Sequence, residues 1–180
     1  EFKLSSGISI NPFRMIDEAL AEGDDDYLVD CLAMLKSIVS QMARNETRLN
    51  DTERGLIDQA VNLVWDTHGR DGTIDHVMQA LKGHEHPFAY DLATSLLPFA
   101  AKGTYGKFFL GDANLDLSAD LTVFELSDLA TRVELRGVVL TSIMFIASQV
   151  MRRMDRAIPK PLIIDEAWQM LKGGAMADFV

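Results

Sequence analysis

Between Asp24 and about Lys102, apolar residues return every three or four positions in four successive runs, each bounded by its own start and stop signals. That period puts the apolar side chains of each run on one face of a helix, so nearly half of the chain is committed to a compact four-helix unit. The first run is Leu28, Cys31, Leu32, Leu35, Ile38, Val39 and Met42. Asp24, Asp25 and Asp26 precede it, where carboxylates match the positive end of the helix dipole; three acids could also hold a cation, but the cap is the simpler account. The second run opens on Asn50 with Glu53 three positions on, a capping-box spacing, and carries Leu56, Ile57, Ala60, Val61, Val64 and Trp65 towards Gly69. Thr73 can cap a shorter helix with Ile74, Val77, Met78 and Leu81, closed by Gly83. Pro87 suits the first turn of a fourth helix bearing Phe88, Leu92, Leu96 and Phe99, expected to run to Gly103.

Composition narrows the function classes. The 180 residues are 48% hydrophobic and 24% charged, the balance of a globular chain that can build a core without cross-links. With 17 basic and 27 acidic residues the net charge is −10, which opposes non-specific attraction to nucleic-acid backbones and anionic lipid. The single cysteine, Cys31, lies among leucines and reads as a buried apolar side chain in a reducing compartment. His68, His76, His84 and His86 match no zinc spacing, so loop and cap positions are expected for them. The nine methionines are scattered at core-like spacing and read as packing.

Outside the helical unit the period changes. Ile8-Ser9-Ile10-Asn11-Pro12-Phe13 alternates and then turns, as a short extended segment entering a loop does. Gly103 to Ala119 is rich in Gly, Asp and Asn, and Leu121-Thr122-Val123-Phe124-Glu125-Leu126 is predicted to be a strand. A long helix is predicted from about Ala130 to Ala157, apolar on most of its circumference around Val138, Val139, Ile143, Phe145 and Ile146, and therefore buried, with a sheet as its expected support. Its apolar core, Gly137 to Met151, is interrupted by Thr141, Ser142, Ser148 and Gln149 and is shorter than the ~20 residues of a membrane crossing. Arg152, Arg153 and Arg156 suit the negative end of that helix; a DNA-binding patch is the less common use of such residues. Pro159 and Pro161 then lead into Leu162-Ile163-Ile164-Asp165-Glu166 and a helix start at Ala167-Trp168-Gln169. Strand, helix, strand, helix is the rhythm of a parallel α/β sheet. Glu1 to Leu4 has no signal-peptide character and is also what two common cloning sites encode; with the absent initiator Met and the abrupt Ala177-Asp178-Phe179-Val180 end, the expectation is a piece of a longer protein.

An apolar strand ending in two acids has a chemical use in nucleotide hydrolysis, because ligands of open α/β sheets bind at the carboxyl edge of the strands. Asp165 is placed to hold Mg²⁺, directly or through water, and Glu166 to act as general base on the attacking water. On the pattern alone, the same two carboxylates could equally cap the following helix. The companion Gly-rich phosphate loop is absent. Gly103-Thr104-Tyr105-Gly106-Lys107-Phe108 has the wrong spacing and offers Phe108 where a Mg²⁺-binding hydroxyl belongs, so it reads as a turn.

Three strings, Ile8 to Phe13, Thr122 to Leu129 and Pro161 to Leu171, in this order and separation and with a helical insert between the first two, resemble the TraC-type ATPases of conjugative type IV secretion systems. The resemblance spans nearly the whole chain. It implies an α/β fold: a fragment of a RecA-like P-loop ATPase domain with a mainly helical, four-helix insertion. Residues 1–22 would follow the missing phosphate loop, 23–103 would be the insertion, and 104–180 would carry the Walker B strand. It further implies ATP and Mg²⁺ as cofactors, with Asp165 as the metal-associated acid and Glu166 as the catalytic acid that activates water. Trp168 and Gln169 match the family string without a derivable role, and Ser127 and Asp128 would follow a strand, where they can also cap the long helix. A homo-hexamer at the cytoplasmic face of the bacterial inner membrane is implied, working with other secretion components and powering pilus assembly and transfer of DNA or protein. Without a phosphate grip, this chain by itself is expected to be inactive and to bind nucleic acid weakly. Two other readings stand beside it: a DNA-translocating relative of the coupling-protein kind, and a non-enzymatic helical docking module.

Overall fold

The computed structural model describes residues 8–44, 48–115, 119, 121–126, 129, 131–155, 157–159 and 161–163. Six α-helices appear among them: α1 Glu18–Gly23, α2 Asp25–Ala43, α3 Asp51–His68, α4 Ile74–Lys82, α5 Pro87–Ser95 and α6 Val133–Arg153. Helices α2 to α5 form the expected four-helix unit, with α2 on α3, α3 on α4 and α4 on α5.

Its helix ends are set by local chemistry. The Asp24 carboxylate accepts from the Tyr27 amide at 2.9 Å, satisfying one of the unpaired donors of α2. At α3 both halves of the capping box form: Asn50 accepts from the Glu53 amide, and Glu53 accepts from the Asn50 amide, each at 2.9 Å. Glu53 also receives the Arg44 guanidinium at 3.1 Å, while Arg44 reaches Ser95 Oγ at 2.8 Å. One buried carboxylate thus ties the end of α2 to the start of α3, and Arg44 extends the tie to the end of α5. Gly69 closes α3 with φ +51°, a region that disfavours side chains, and Thr73 caps α4. His86 caps α5 through Nδ1, and Pro87 takes its first turn. The fourth helix is shorter than expected. It stops at Ser95, because Pro98 lacks the amide that a continuing helix needs, and Leu97–Phe99 turns as a 3₁₀ segment instead. The short helix α1, capped by Asp17, was not anticipated from the sequence.

The long apolar helix is present, within narrower bounds than 130–157, but its support differs from the expected sheet. α6 packs on α2. Thr141 Oγ1 donates to Gln41 Oε1 at 2.7 Å, Gln149 Nε2 to Cys31 Sγ at 3.5 Å, and Arg152 to Asp30 at 2.6 Å, so the two helices run antiparallel. Leu135, Val138, Val139, Ile143 and Phe145 join the same core as Phe13, Leu35, Ile57, Leu81 and Leu92. Over Val133–Arg152 the helix is long and apolar enough to cross a membrane by length and composition, yet 56% of its apolar window is buried inside the protein.

The predicted strand at 121–126 is not formed as such: only Phe124 makes an isolated bridge. Leu121 is 81% exposed and Val123 is also exposed. Residues 161–163 likewise lack regular structure, with Ile163 87% exposed. A strand is stabilised by cross-strand partners rather than by its own residues, and the apolar surface of α6 that a sheet would have covered is taken by α2.

Candidate functional site

The residues singled out for chemistry, Asp165 and Glu166, lie outside the described residues, as do Ser127, Asp128, Trp168 and Gln169. The described chain ends two positions before Asp165, and among the described residues no group of three or more metal-binding side chains forms. Gly106–Phe108 is a 3₁₀ turn with the Lys107 ammonium 4.9 Å from the Phe108 ring centre, in keeping with a turn rather than a phosphate loop. His68 and His76 stack at 3.9 Å, and the other two histidines accept backbone hydrogen bonds around the start of α5.

The structure brings together a different set of residues around the Asn-Pro-Phe strap. Asn11 Oδ1 accepts from the Phe13 amide at 3.1 Å and Arg14 N donates to Asn11 O at 3.1 Å, so the sequence-predicted turn forms. The extended part is held between two loops. Ile10 N donates to Phe108 O at 2.6 Å, Ser9 and Asn114 exchange hydrogen bonds at 2.8 and 3.1 Å, and Ser9 Oγ donates to Leu110 O at 2.6 Å. From the helical unit, Gly72 O accepts from Asn11 Nδ2 at 3.4 Å. Phe13 is fully buried against Gly72, whose place no larger residue could take: an added Cβ would stand 2.4 Å from the Phe13 ring. Arg14 pairs with Asp71 and, at 3.2 Å, with Asp112, and Arg70 donates to Arg14 O at 3.0 Å.

The strap, the turn between α3 and α4, and α6 enclose a cleft of about 300 Å³ that includes Arg14, Arg70 and Gln149. Its two arginines were not found from the sequence. Residues 14, 70 and 149 share no local pattern, and the only sequence hint was that Arg14 follows the Asn-Pro-Phe turn. Cys31, buried beneath Gln149, has its thiol pushed above the ordinary value, chiefly by loss of solvation.

Comparison with known proteins places this framework. The TraG P-loop domain family matches residues 71–180, a stretch that holds α4 to α6 and the Asp165-Glu166 pair. The chain belongs to this family. Protein TraC of Escherichia coli (strain K12) is 29% identical over 156 residues, covering 79% of this chain and 18% of TraC, so the chain spans less than a fifth of that relative's length. No solved structure matches. The TraC-type resemblance drawn from the three strings is thereby shown at the level of a conjugation-related P-loop ATPase family.

Proposed function

We propose that this chain is the part of a conjugation motor ATPase that carries the Walker B acids and a helical insertion. The observation that carries the reading is the Pro161 to Leu171 string, which ends an apolar segment in Asp165 and Glu166 inside the region matched by the family. Oxygen donors of this kind suit a hard cation, so Asp165 would hold Mg²⁺, which when bound with ATP neutralises phosphate charge. Glu166 would take a proton from the attacking water, for which it must be ionised and within hydrogen-bond reach. Residues 121–126 and 161–165 would be strands of a RecA-like sheet, completed in the longer protein by pairing with segments beyond this chain. In that protein the motor would work as a hexamer at the inner face of the bacterial inner membrane, powering pilus assembly and substrate transfer.

The test is Glu166→Gln in the full-length protein. ATP turnover should fall at least ~100-fold, the usual contribution of a general base, with nucleotide binding retained. The 180-residue chain alone, which has no Gly-Lys-Ser or Gly-Lys-Thr loop, should show no micromolar nucleotide binding. Unchanged turnover in Glu166→Gln would leave the docking-module reading, which exposed Leu63, Phe88 and Tyr90 on the helical unit favour. Tight, steeply salt-dependent binding of duplex DNA would instead favour a DNA translocase, against the net charge of −10.

A further inference from the structure

Arg152 stands in the last turn of α6, where its position in the sequence explains it only as a match to the helix dipole. The folded chain gives it two further contacts. Its guanidinium pairs with Asp30 at 2.6 Å and lies 5.6 Å from the ring centre of Tyr27, so one cation meets a carboxylate and an aromatic face on the first turns of α2. Tyr27 is 1% exposed, and its hydroxyl accepts from the Asp17 amide at 3.1 Å. Three parts of the chain therefore meet at Tyr27: the stretch that follows the Asn-Pro-Phe strap, the start of the helical unit and the end of α6. Beyond this junction the chain has little cover. Every described residue from Met154 to Ile163 is exposed, and the amides of Ala157 and Ile158 close a local turn on Asp155. Among the described residues, Gln149 is the last buried side chain before Asp165 and Glu166.

We propose that Arg152 is a positioning residue for ATP hydrolysis: by clamping the end of α6 to Asp30 and Tyr27, it fixes the point from which the chain runs on to Asp165 and Glu166. This rests on the Walker B reading of those two acids. The pair adds little stability, since its side chains are 49% and 62% exposed and water screens them. Its effect is geometric. A general base works only within hydrogen-bond reach of its water, and a displacement of about 1 Å that starts far from the chemistry can cost ~100-fold in rate. The buried Tyr27 ring gives the clamp a fixed direction that two mobile surface side chains lack. Because α6 packs on α2, the clamp also makes the start of the helical unit part of what holds the acids in place.

The experiment measures steady-state ATP turnover of the full-length protein. Arg152→Gln and Asp30→Asn should each lower kcat about tenfold while KM for ATP stays within about twofold, the pattern of lost placement rather than lost binding. The double variant should be no slower than either single one, because both remove the same clamp. Arg152→Lys should keep part of the rate, since it retains the charge but not the planar stack on Tyr27. Asp51→Asn, which breaks another exposed pair with Arg54 on α3, should leave turnover unchanged. Melting temperatures should match the parent in every case, which separates placement from folding. Unchanged kcat in Arg152→Gln would overturn the proposal, as would additive losses in the double variant or a raised KM at constant kcat. So would a rate loss matched by a fall in melting temperature. Glu166→Gln in the same assay keeps the clamp distinct from the reading beneath it. Turnover lost there but kept in Arg152→Gln removes the clamp alone, and turnover unchanged there removes both.

Discussion

The helical unit of α2 to α5 and the arm from residue 104 to 163 are built from comparable apolar residues and reach opposite outcomes. In the unit, Leu35, Ile57, Leu81 and Leu92 are buried, and nearly every helix end carries a capping group from its own neighbourhood. In the arm, Leu121, Val123, Leu162 and Ile163 are exposed, and only α6 and short turns have regular structure among the described residues. A helix closes its hydrogen bonds within itself, whereas a strand needs a neighbour. Among the described residues of the arm, these apolar, β-favouring stretches therefore stay without regular structure.

The sharpest division between the two regions is chemical. Glu166→Gln in the full-length protein should reduce ATP turnover at least ~100-fold and leave the melting temperature unchanged, separating chemistry beyond the arm from stability in the unit. Leu35→Ala should do the reverse, costing about 2–5 kcal/mol in denaturant unfolding because it opens a cavity at a fully buried position. Asn50→Ala should cost about 1 kcal/mol, since the Glu53 amide and the capping box lose their acceptor. A loss near zero there would show that the helix ends are held by packing rather than by their caps.

Acidity offers a milder probe of the joint between the regions. Burial raises the Cys31 thiol above its ordinary 9.0, so the folded state holds the proton more tightly than the unfolded chain. Stability is then fully present below about pH 9 and falls as pH rises through the folded value, once unfolded thiols ionise. Cys31→Ala should remove that part of the alkaline loss, measured as the difference between the two unfolding profiles. Native Cys31 should also resist alkylation until the chain is unfolded. The smallest effect belongs to Leu121→Ser, expected within about 0.5 kcal/mol in this chain because the side chain is exposed. The same change in the full-length protein should cost more if 121–126 pairs in a sheet there, and an equal, negligible cost in both would break the comparison.

Much of the helical unit was legible because its signals are local: Asn50 and Glu53, Thr73 and Gly83, and Pro87 each lie within a few residues of the end they define. The overextended fourth helix shows the weight of one residue, since Pro98 ends a run whose apolar spacing continues to Phe99. The support of α6 was misread because an apolar helix records that it is buried but not against what; α2 offered Gln41, Cys31 and Asp30 along a matching edge. The Asp165-Glu166 pair stood out in the sequence as two acids after an apolar run, while the cleft with Arg14, Arg70 and Gln149 had no sequence signature, since its parts come from three separate stretches.

By itself, the order of residues determined the periods, the caps, the turn at Asn11-Pro12 and the acidic pair within a string shared with a P-loop family, because each depends on neighbours a few bonds away. Only the tertiary structure decided that α6 lies on α2, that Phe13 seats on Gly72, and that Arg14, Arg70 and Gln149 line one cleft. Those outcomes depend on which distant surfaces exclude water together, and such competition is settled by the folded chain as a whole.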